Sequence, residues 1–186
     1  DAVPQQDPVM PRVGDDQTAV VDQHAGGKVH PPLGAAAAGR VTEVIVGDAR
    51  HAPWGDERFD RILLDAPCTG LGALRRRPEA RWRKQQSDVA ELASLQQELL
   101  ASAWAALKPG GILAYVTCSP HQGETTAIID WGQKKLGADF QLMDANAVLA
   151  EINPHLHLNR NRKTAQLWPD LNQTDAMFIA LIQKAK

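Results

Sequence analysis

The feature that most constrains the fold is a pair of short apolar runs separated by a long amphipathic segment. The runs are FDRILL at 59–64 and ILAYVT at 112–117, and both have the length and composition of buried strands. Between them, apolar residues recur at spacings of three and four over 87–107, which predicts a helix. A strand, a crossover helix and a second strand form a right-handed unit whose strands are parallel. The pattern therefore predicts a mostly parallel α/β sheet covered on both faces.

Other segments continue this alternation of strands and helices. The long helix is expected to start where Ser87 can act as its N-cap and to stop at KPGG, 108–111. The remaining predicted elements are strands at 41–46, 140–143 and 176–182 and a helix at 124–136.

Length and composition favour one ordinary globular domain. At 186 residues and 44% apolar, the chain can bury one good core. Its net charge of −2 gives no overall basic field, so a nucleic-acid partner would have to bind a local patch. No apolar run approaches the roughly 20 residues of a membrane-spanning helix, and residues 1–16 lack the pattern of a secretory signal.

Cysteine and histidine usage predicts free thiols and no metal site. Two cysteines are too few for a disulfide scaffold, and no CxxC or Cys/His cluster suggests zinc. His155 and His157 have no carboxylate or cysteine at ligand spacing. A cytoplasmic location is therefore expected, where the surroundings of each thiol decide whether it is reactive.

The two cysteines occupy equivalent places, each just after one of the parallel strands. Asp65 and Cys68 follow the first strand (DAPC), and Cys118 follows the second (TCSP). Parallel strands end at the same edge of a sheet, where open α/β folds bind ligands. If the two strands are neighbours, they lie about 4.8 Å apart, and these three side chains would then meet in one cleft. A lone cysteine at a strand end is usually a packing residue, but packing requires neither the aspartate nor the prolines beside these two.

A thiol pair beside a carboxylate suits methylation at carbon 5 of a pyrimidine. A thiolate that adds to carbon 6 makes carbon 5 able to attack an electrophilic methyl group. Asp65 is of the right type to hold ring N3 and the exocyclic amine of cytosine. A second thiol or thiolate can assist removal of the carbon-5 proton as a general base. The base must be turned out of any stack to be reached.

Both cysteine motifs resemble those of a known family. DAPCTG at 65–70 and TCSPH at 117–121 resemble the paired signatures of the Sun/Fmu (RsmB-like) RNA 5-methylcytosine methyltransferases, within the wider Nop/Sun group. Glu124 also matches, although Thr125 stands where the family usually has asparagine. Further matching segments are GDAR at 47–50, LGALRRRPEARWR at 71–83 and WPDLNQTDAMF at 168–178.

This resemblance implies a Rossmann-like S-adenosylmethionine-dependent methyltransferase fold, mostly parallel with an antiparallel C-terminal strand. It implies Cys118 as the nucleophile, Cys68 as the cysteine that assists release, and Asp65 as a contact to base and cofactor. The implied cofactor is S-adenosylmethionine, and the implied substrate class is structural RNA, ribosomal RNA in particular.

The cofactor loop matches the family less completely. The family loop resembles CAAPGGK, and this chain has HAGGK at 24–28, without a recognisable strand or Cys-Ala start ahead of it. Asp48 lies in a segment that resembles the family's acidic cofactor loop. The candidate cofactor-binding residues are Ala25, Gly26, Gly27, Lys28, Asp48 and Asp65.

We therefore expect the first strands to be missing or degraded. Residues 33–41 are too few to hold a helix, the strand that would carry an acidic residue for the cofactor ribose, and another helix. The expected division is an incomplete N-terminal part of the cofactor-binding region at 1–40 and a methyltransferase catalytic domain at 41–186. Loss of these parts from the natural protein and omission of a segment of a longer chain are both open.

The concentrated basic stretch of the chain comes soon after Cys68. Such a run is usually a solvated surface, but its position and the presence of Trp82 inside it make contact with an RNA backbone equally reasonable. The candidate RNA-binding residues are Arg75, Arg76, Arg77, Arg81 and Arg83.

Three functions fit these residues, in decreasing order of preference. The first is an RNA cytosine-5 methyltransferase that forms a covalent Cys118–C6 adduct, with Cys68 assisting release. The second is a catalytically inactive RNA- or protein-binding domain, which the incomplete cofactor loop suggests. The third is a methyltransferase that acts on another group without covalent catalysis.

Overall fold

The computed structural model describes residues 18–22, 47–51 and 54–186. Within these ranges the chain forms a six-stranded sheet in the order β1–β2–β3–β6–β4, with β5 paired to β6. The strands are β1 Thr18–Asp22, β2 Phe59–Asp65, β3 Leu107–Thr117, β4 Phe140–Leu142, β5 Ala165–Gln166 and β6 Phe178–Lys184.

The sheet has the mixed direction that the sequence and its resemblance predict. Strands β1, β2 and β3 are parallel neighbours, and β6 runs antiparallel to β3, β4 and β5. Only the C-terminal strand is therefore reversed among the described strands. The predicted fold class, a mostly parallel methyltransferase-type sheet with an antiparallel last strand, is confirmed.

Strand β1 lies ahead of the HAGGK segment, where sequence patterns revealed no strand. All its residues pair with β2 in parallel, from Thr18 opposite Arg61 to Asp22 opposite Asp65. A strand this short carries little periodic signal of its own, and its pairing partner is more than thirty residues away in the chain. The predicted strand at 41–46 and the loop at 24–28 lie outside the described residues.

Helices cover the sheet and connect its strands. They are α1 Ala80–Arg83, α2 Gln86–Ala106, α3 Thr126–Lys135, α4 Ala145–Ile152 and α5 Pro169–Asn172. Short 3-10 turns occur at Ala49–His51, Leu71–Ala73 and Gln122–Glu124. None of the helices in the described ranges combines the length and the apolar character that crossing a bilayer requires.

The crossover helix α2 matches its prediction closely, with two local differences. Ser87 lies inside the first turn instead of capping it, because Gln85 is the extended residue before the helix and its backbone N–H donates to the Asp88 carboxylate at 3.1 Å. At the other end, KPGG belongs to β3, which starts at Leu107. Phe59 pairs with Leu107 and Arg61 with Ile112, so KPGG forms an irregularity in the pairing, with Gly110 at φ 80°.

The core lies between α2, α3 and the sheet. Leu99, Leu100 and Ala103 of α2 are buried in one cluster with side chains of β2 and β3, including the fully buried Leu64 and Tyr115. This packing fixes the two central strands side by side, with Asp65 opposite Val116 in the register. The loops that carry the cysteines therefore emerge next to each other at one edge of the sheet.

Candidate active site

The thiols of Cys68 and Cys118 lie 3.4 Å apart, joined by a hydrogen bond between their sulfur atoms. Both side chains are half-buried free cysteines, so neither is sealed inside the core. Their contact follows from topology, because each cysteine comes just after one of two adjacent parallel strands. The structure thus brings together the two thiols that are fifty residues apart in the sequence.

The two thiols differ in their tendency to ionise. The hydrogen bond from Cys68 lowers the pKa of Cys118 to about 7, although burial and the nearby charge of Asp65 oppose this. The same hydrogen bond, together with burial and the charge on Cys118, raises the pKa of Cys68 far above its usual value. Cys118 is therefore the thiol that ionises first, and Cys68 is the one that donates to the Cys118 thiolate.

Asp65 lies at the carboxyl end of β2 and completes the expected trio. It stands opposite Val116 on one side and Asp22 on the other in the strand registers. Its carboxylate is half-buried and close enough to Cys118 to raise the pKa of that thiol. A negative charge therefore lies beside the two sulfurs.

A buried carboxylate, Glu124, joins the two cysteine loops. Its Oε1 accepts from the backbone N–H of Thr69 at 2.7 Å, and its Oε2 accepts from the hydroxyls of Thr69 and Ser119, each at 2.6 Å. Thr69 directly follows Cys68, and Ser119 directly follows Cys118. The side chain is fully buried, so these bonds replace its hydration. Glu124 therefore fixes the spacing of the two loops.

Gly72 provides a second link between the cysteine loops. Its backbone N–H donates to the carbonyl oxygen of Cys118, and its own carbonyl accepts from the N–H of Ala176, both at 2.9 Å. A Cβ at this position would lie 2.7 Å from the Cys118 carbonyl oxygen and would overlap the Ala176 carbonyl oxygen. Only glycine fits between the Cys118 loop and the segment before β6.

The basic stretch divides into paired and exposed arginines. Arg76 donates to Asp175 through Nε at 2.8 Å and through Nη2, and Arg75 lies 3.9 Å from the same carboxylate. Arg76 lowers the pKa of the Asp175 carboxyl, whose side chain is buried. The remaining predicted RNA-binding residues, Arg77, Arg81 and Arg83, are exposed, as is Trp82 between the last two.

The predicted cofactor residues are only partly described. Ala25, Gly26, Gly27 and Lys28 lie outside the described residues. Asp48 is exposed, and its carboxylate accepts two bonds from Arg50 Nε at 3.0 Å and one from Nη2 at 2.6 Å. These bonds, above all the side-chain ones, hold the pKa of Asp48 well below its usual range.

The edge formed by β1 and β2 has the chemistry that S-adenosylmethionine requires. An aspartate stands at the carboxyl end of each strand, at the paired positions 22 and 65. Carboxylates accept hydrogen bonds from hydroxyl and ammonium groups, which this cofactor carries. Asp65, whose side chain the structure describes as half-buried, thus fits the group in residue type. Within the described ranges, no group of three or more potential ligand side chains could hold a metal ion.

Two structural roles were not visible in the sequence. Glu124 matches a family position, but its bonds to Thr69 depend on a contact across fifty-five residues. Asp175 pairs with Arg76 across ninety-nine residues. The one local signal for Glu124 in the sequence is its spacing of six residues after Cys118.

Comparison with known proteins gives consistent matches. The family model for the 16S rRNA methyltransferase RsmB/F matches residues 36–183. The ribosomal RNA small subunit methyltransferase B of Erwinia tasmaniensis is 56% identical over 144 residues, which cover 76% of this chain and 30% of that protein. The chain thus spans less than a third of the length of this relative.

Solved structures share the same architecture. The crystal structure of PH0851 is 30% identical with a TM-score of 0.70, over 90% of this chain and 42% of that chain. NSun6 from Pyrococcus horikoshii, solved with SFG, has a TM-score of 0.71 at 23% identity, over 92% of this chain and 48% of that chain. The second match shows a common fold.

Proposed function

This chain belongs to the 16S rRNA methyltransferase RsmB/F family, and from that premise we propose that it methylates carbon 5 of a cytosine in RNA, ribosomal RNA in particular. The methyl donor in this proposal is S-adenosylmethionine, in line with the family and with the SFG-bound neighbour of the same fold. The observation that carries the proposal is the pair of thiols 3.4 Å apart with opposite tendencies to ionise.

Cys118 is the nucleophile in this proposal. Its pKa of about 7 provides a substantial thiolate fraction at neutral pH, and a thiolate is the reactive form. The sulfur bonds to carbon 6 of the cytosine while the electron pair of the C5–C6 double bond moves towards carbon 5. Asp65 accepts from the exocyclic amine and orients the ring. When bound, S-adenosylmethionine supplies an electrophilic methyl group for carbon 5.

Cys68 assists the release of the product. In the free protein, the hydrogen bond to Cys118 and the charge on that thiolate keep Cys68 protonated. Once Cys118 has formed its bond to carbon 6, that charge is gone and Cys68 can lose its proton to solvent. The Cys68 thiolate then takes the proton from carbon 5, the double bond re-forms, and Cys118 leaves as a thiolate.

The exposed basic stretch is the proposed contact for the RNA backbone. Arg77, Arg81 and Arg83 present exposed cations on the segment that follows the Cys68 loop in the chain, and Trp82 is 84% exposed among them. Cations bind phosphates, and an exposed aromatic ring can stack on a base. Arg75 and Arg76 would contribute less, because Asp175 already partly neutralises them.

A trapping experiment tests the roles of the cysteines. Ribosomal RNA containing 5-fluorocytosine should form a covalent complex that survives denaturation, because fluorine cannot leave carbon 5 as a proton does. Cys118→Ala should form none, whereas Cys68→Ala should accumulate a covalent complex even with unmodified RNA. A complex that still forms with Cys118→Ala would show that the nucleophile is assigned wrongly. No complex with the unaltered protein, although it binds RNA, would favour the inactive binding domain.

A further inference from the structure

A groove of about 660 Å³ opens next to the loop that follows β3. Pro120, two residues after Cys118, lines it, and so does Phe178, which lies opposite Thr117 where β3 pairs with β6. Residues 156–160 and Arg162, on the segment between α4 and β5, line it as well. The groove therefore begins at the carboxyl end of β3, where the proposed function places the reacting base.

The lining of this groove is basic, although the chain as a whole is not. Arg160, Arg162 and His157 line it, and none of the described lining residues is acidic. The whole chain, by contrast, has 22 acidic and 20 basic residues apart from histidine. Both arginines are exposed, and among the described residues neither guanidinium forms an ion pair. Their charges are therefore available to a phosphate, unlike those of Arg75 and Arg76.

The segment that carries these arginines has a fixed backbone. The side-chain amide of the buried Asn146 donates to the carbonyl oxygens of Asn159, Arg162 and Thr164, at 3.2, 2.5 and 3.1 Å. The Asn172 amide donates to the His157 carbonyl oxygen at 3.3 Å. A loop held in this way loses little conformational freedom when it binds a ligand.

Trp168 adds an aromatic surface to the same groove. Its side chain lines the groove and is 41% exposed, at the residue before α5. Proteins often bind single-stranded nucleic acid with exposed aromatic rings next to cations, because the bases stack on the rings while the cations contact the phosphates. An acidic peptide would satisfy the cations, but it would not explain why the groove starts at the reacting end of β3.

We infer that this groove binds the single-stranded RNA next to the target nucleotide, with Arg160 and Arg162 on its phosphates and Trp168 against a base. The inference rests on the proposed function, because that function supplies RNA as the substrate. A base turned out of a helix leaves its neighbours within a few ångströms of the cleft. The groove would then hold the strand while the thiols act.

Affinity for a single-stranded RNA oligonucleotide over a series of salt concentrations tests this inference. The Arg160→Ala/Arg162→Ala double variant should lower the salt dependence of log affinity by about 1.4, which is the release of counterions from two phosphates. Trp168→Ala should weaken binding about tenfold and leave the salt dependence unchanged. The control is Lys134→Ala/Lys135→Ala, which removes two exposed cations at the end of α3, outside the groove, and should change neither quantity.

The outcomes separate this inference from the proposed function. If the groove variants bind the oligonucleotide with the affinity and salt dependence of the unaltered protein, the inference that the groove binds RNA is overturned, even if a Cys118 adduct forms. A lysine control that loses as much affinity as the arginine variant would overturn it as well. If the groove variants bind RNA more weakly but the unaltered protein forms no Cys118 adduct, the groove binds RNA as inferred and the proposed covalent chemistry is rejected.

Discussion

The loops after β2 and β3 are alike in sequence position and differ in what they do to a thiol. Each follows a central parallel strand and carries one half-buried cysteine. Yet the pKa of Cys118 falls to about 7, whereas that of Cys68 rises. Cys68 donates the hydrogen bond, and the charge of the buried Glu124 raises its pKa further. Residue type alone therefore does not assign a role to a cysteine; its hydrogen-bond direction and neighbouring charges do.

The largest expected effect comes from breaking the link between the two loops at Gly72. In Gly72→Ala, the added methyl group would overlap the carbonyl oxygens of Ala176 and Cys118. We expect a loss of about 3 kcal/mol in the free energy of unfolding, measured by denaturant titration, because the backbone must move. The control is Gly47→Ala, where no atom of the described residues lies within 4 Å of the added methyl group and the change should stay within about 0.5 kcal/mol. Equal stability of the two variants would contradict the close packing at Gly72.

Replacing Glu124 by glutamine should reduce the difference in pKa between the two cysteines, without adding bulk to the site. Glutamine offers one acceptor oxygen in place of two, so a donor on Thr69 or Ser119 loses its partner in a buried site. We expect a loss of about 2 kcal/mol in the free energy of unfolding. The loss of the negative charge should also lower the pKa of Cys68, since Glu124 is one cause of its elevation.

The matched control for Glu124 is Glu91→Gln, which makes the same change at an exposed position on α2. It should alter neither the free energy of unfolding nor the alkylation of either cysteine. If Glu124→Gln behaves like Glu91→Gln in both measurements, Glu124 does not hold the loops together.

A smaller effect is expected from two variants of Cys68 that differ in whether they can donate a hydrogen bond to Cys118. Cys68→Ala removes the donor, so the pKa of Cys118 should rise from about 7 towards its ordinary value of 9.0. Two pKa units would slow alkylation of Cys118 at pH 7 by about fiftyfold, because only the thiolate reacts. Cys68→Ser keeps an O–H donor and should retain a lower pKa than Cys68→Ala. Identical pH profiles for the two variants would show that the hydrogen bond does not lower the pKa of Cys118.

The approach of the two cysteines was predictable because it depends on topology. Two apolar runs and one crossover helix imply parallel strands, which end at one edge of the sheet, and the structure shows that the two strands are neighbours. The sequence could not show which thiol ionises, because that depends on the direction of one hydrogen bond and on Glu124. The pairing of Arg76 with Asp175 was equally hidden, since it joins residues ninety-nine positions apart.

Local sequence patterns also misplaced some boundaries. Glycine and proline in KPGG predicted a break, yet the segment continues β3 as an irregularity, since Leu107 already pairs with β2. Strand β1 escaped notice because its stabilising partner is β2, far away in the sequence. Pairing between distant residues decided both cases, and a local window contains no information about it.

Alkylation of the two cysteines in the unaltered protein, followed residue by residue by mass spectrometry from pH 5 to about pH 10, tests the central claim most directly. Cys118 should be modified first, with half-maximal reactivity near pH 7, because its thiolate accepts a hydrogen bond from Cys68. Cys68 should be modified only after Cys118, because the hydrogen bond and the charge of the Cys118 thiolate keep its pKa raised until Cys118 is alkylated. Equal rates for the two cysteines, or earlier modification of Cys68, would contradict the assignment of the thiolate to Cys118.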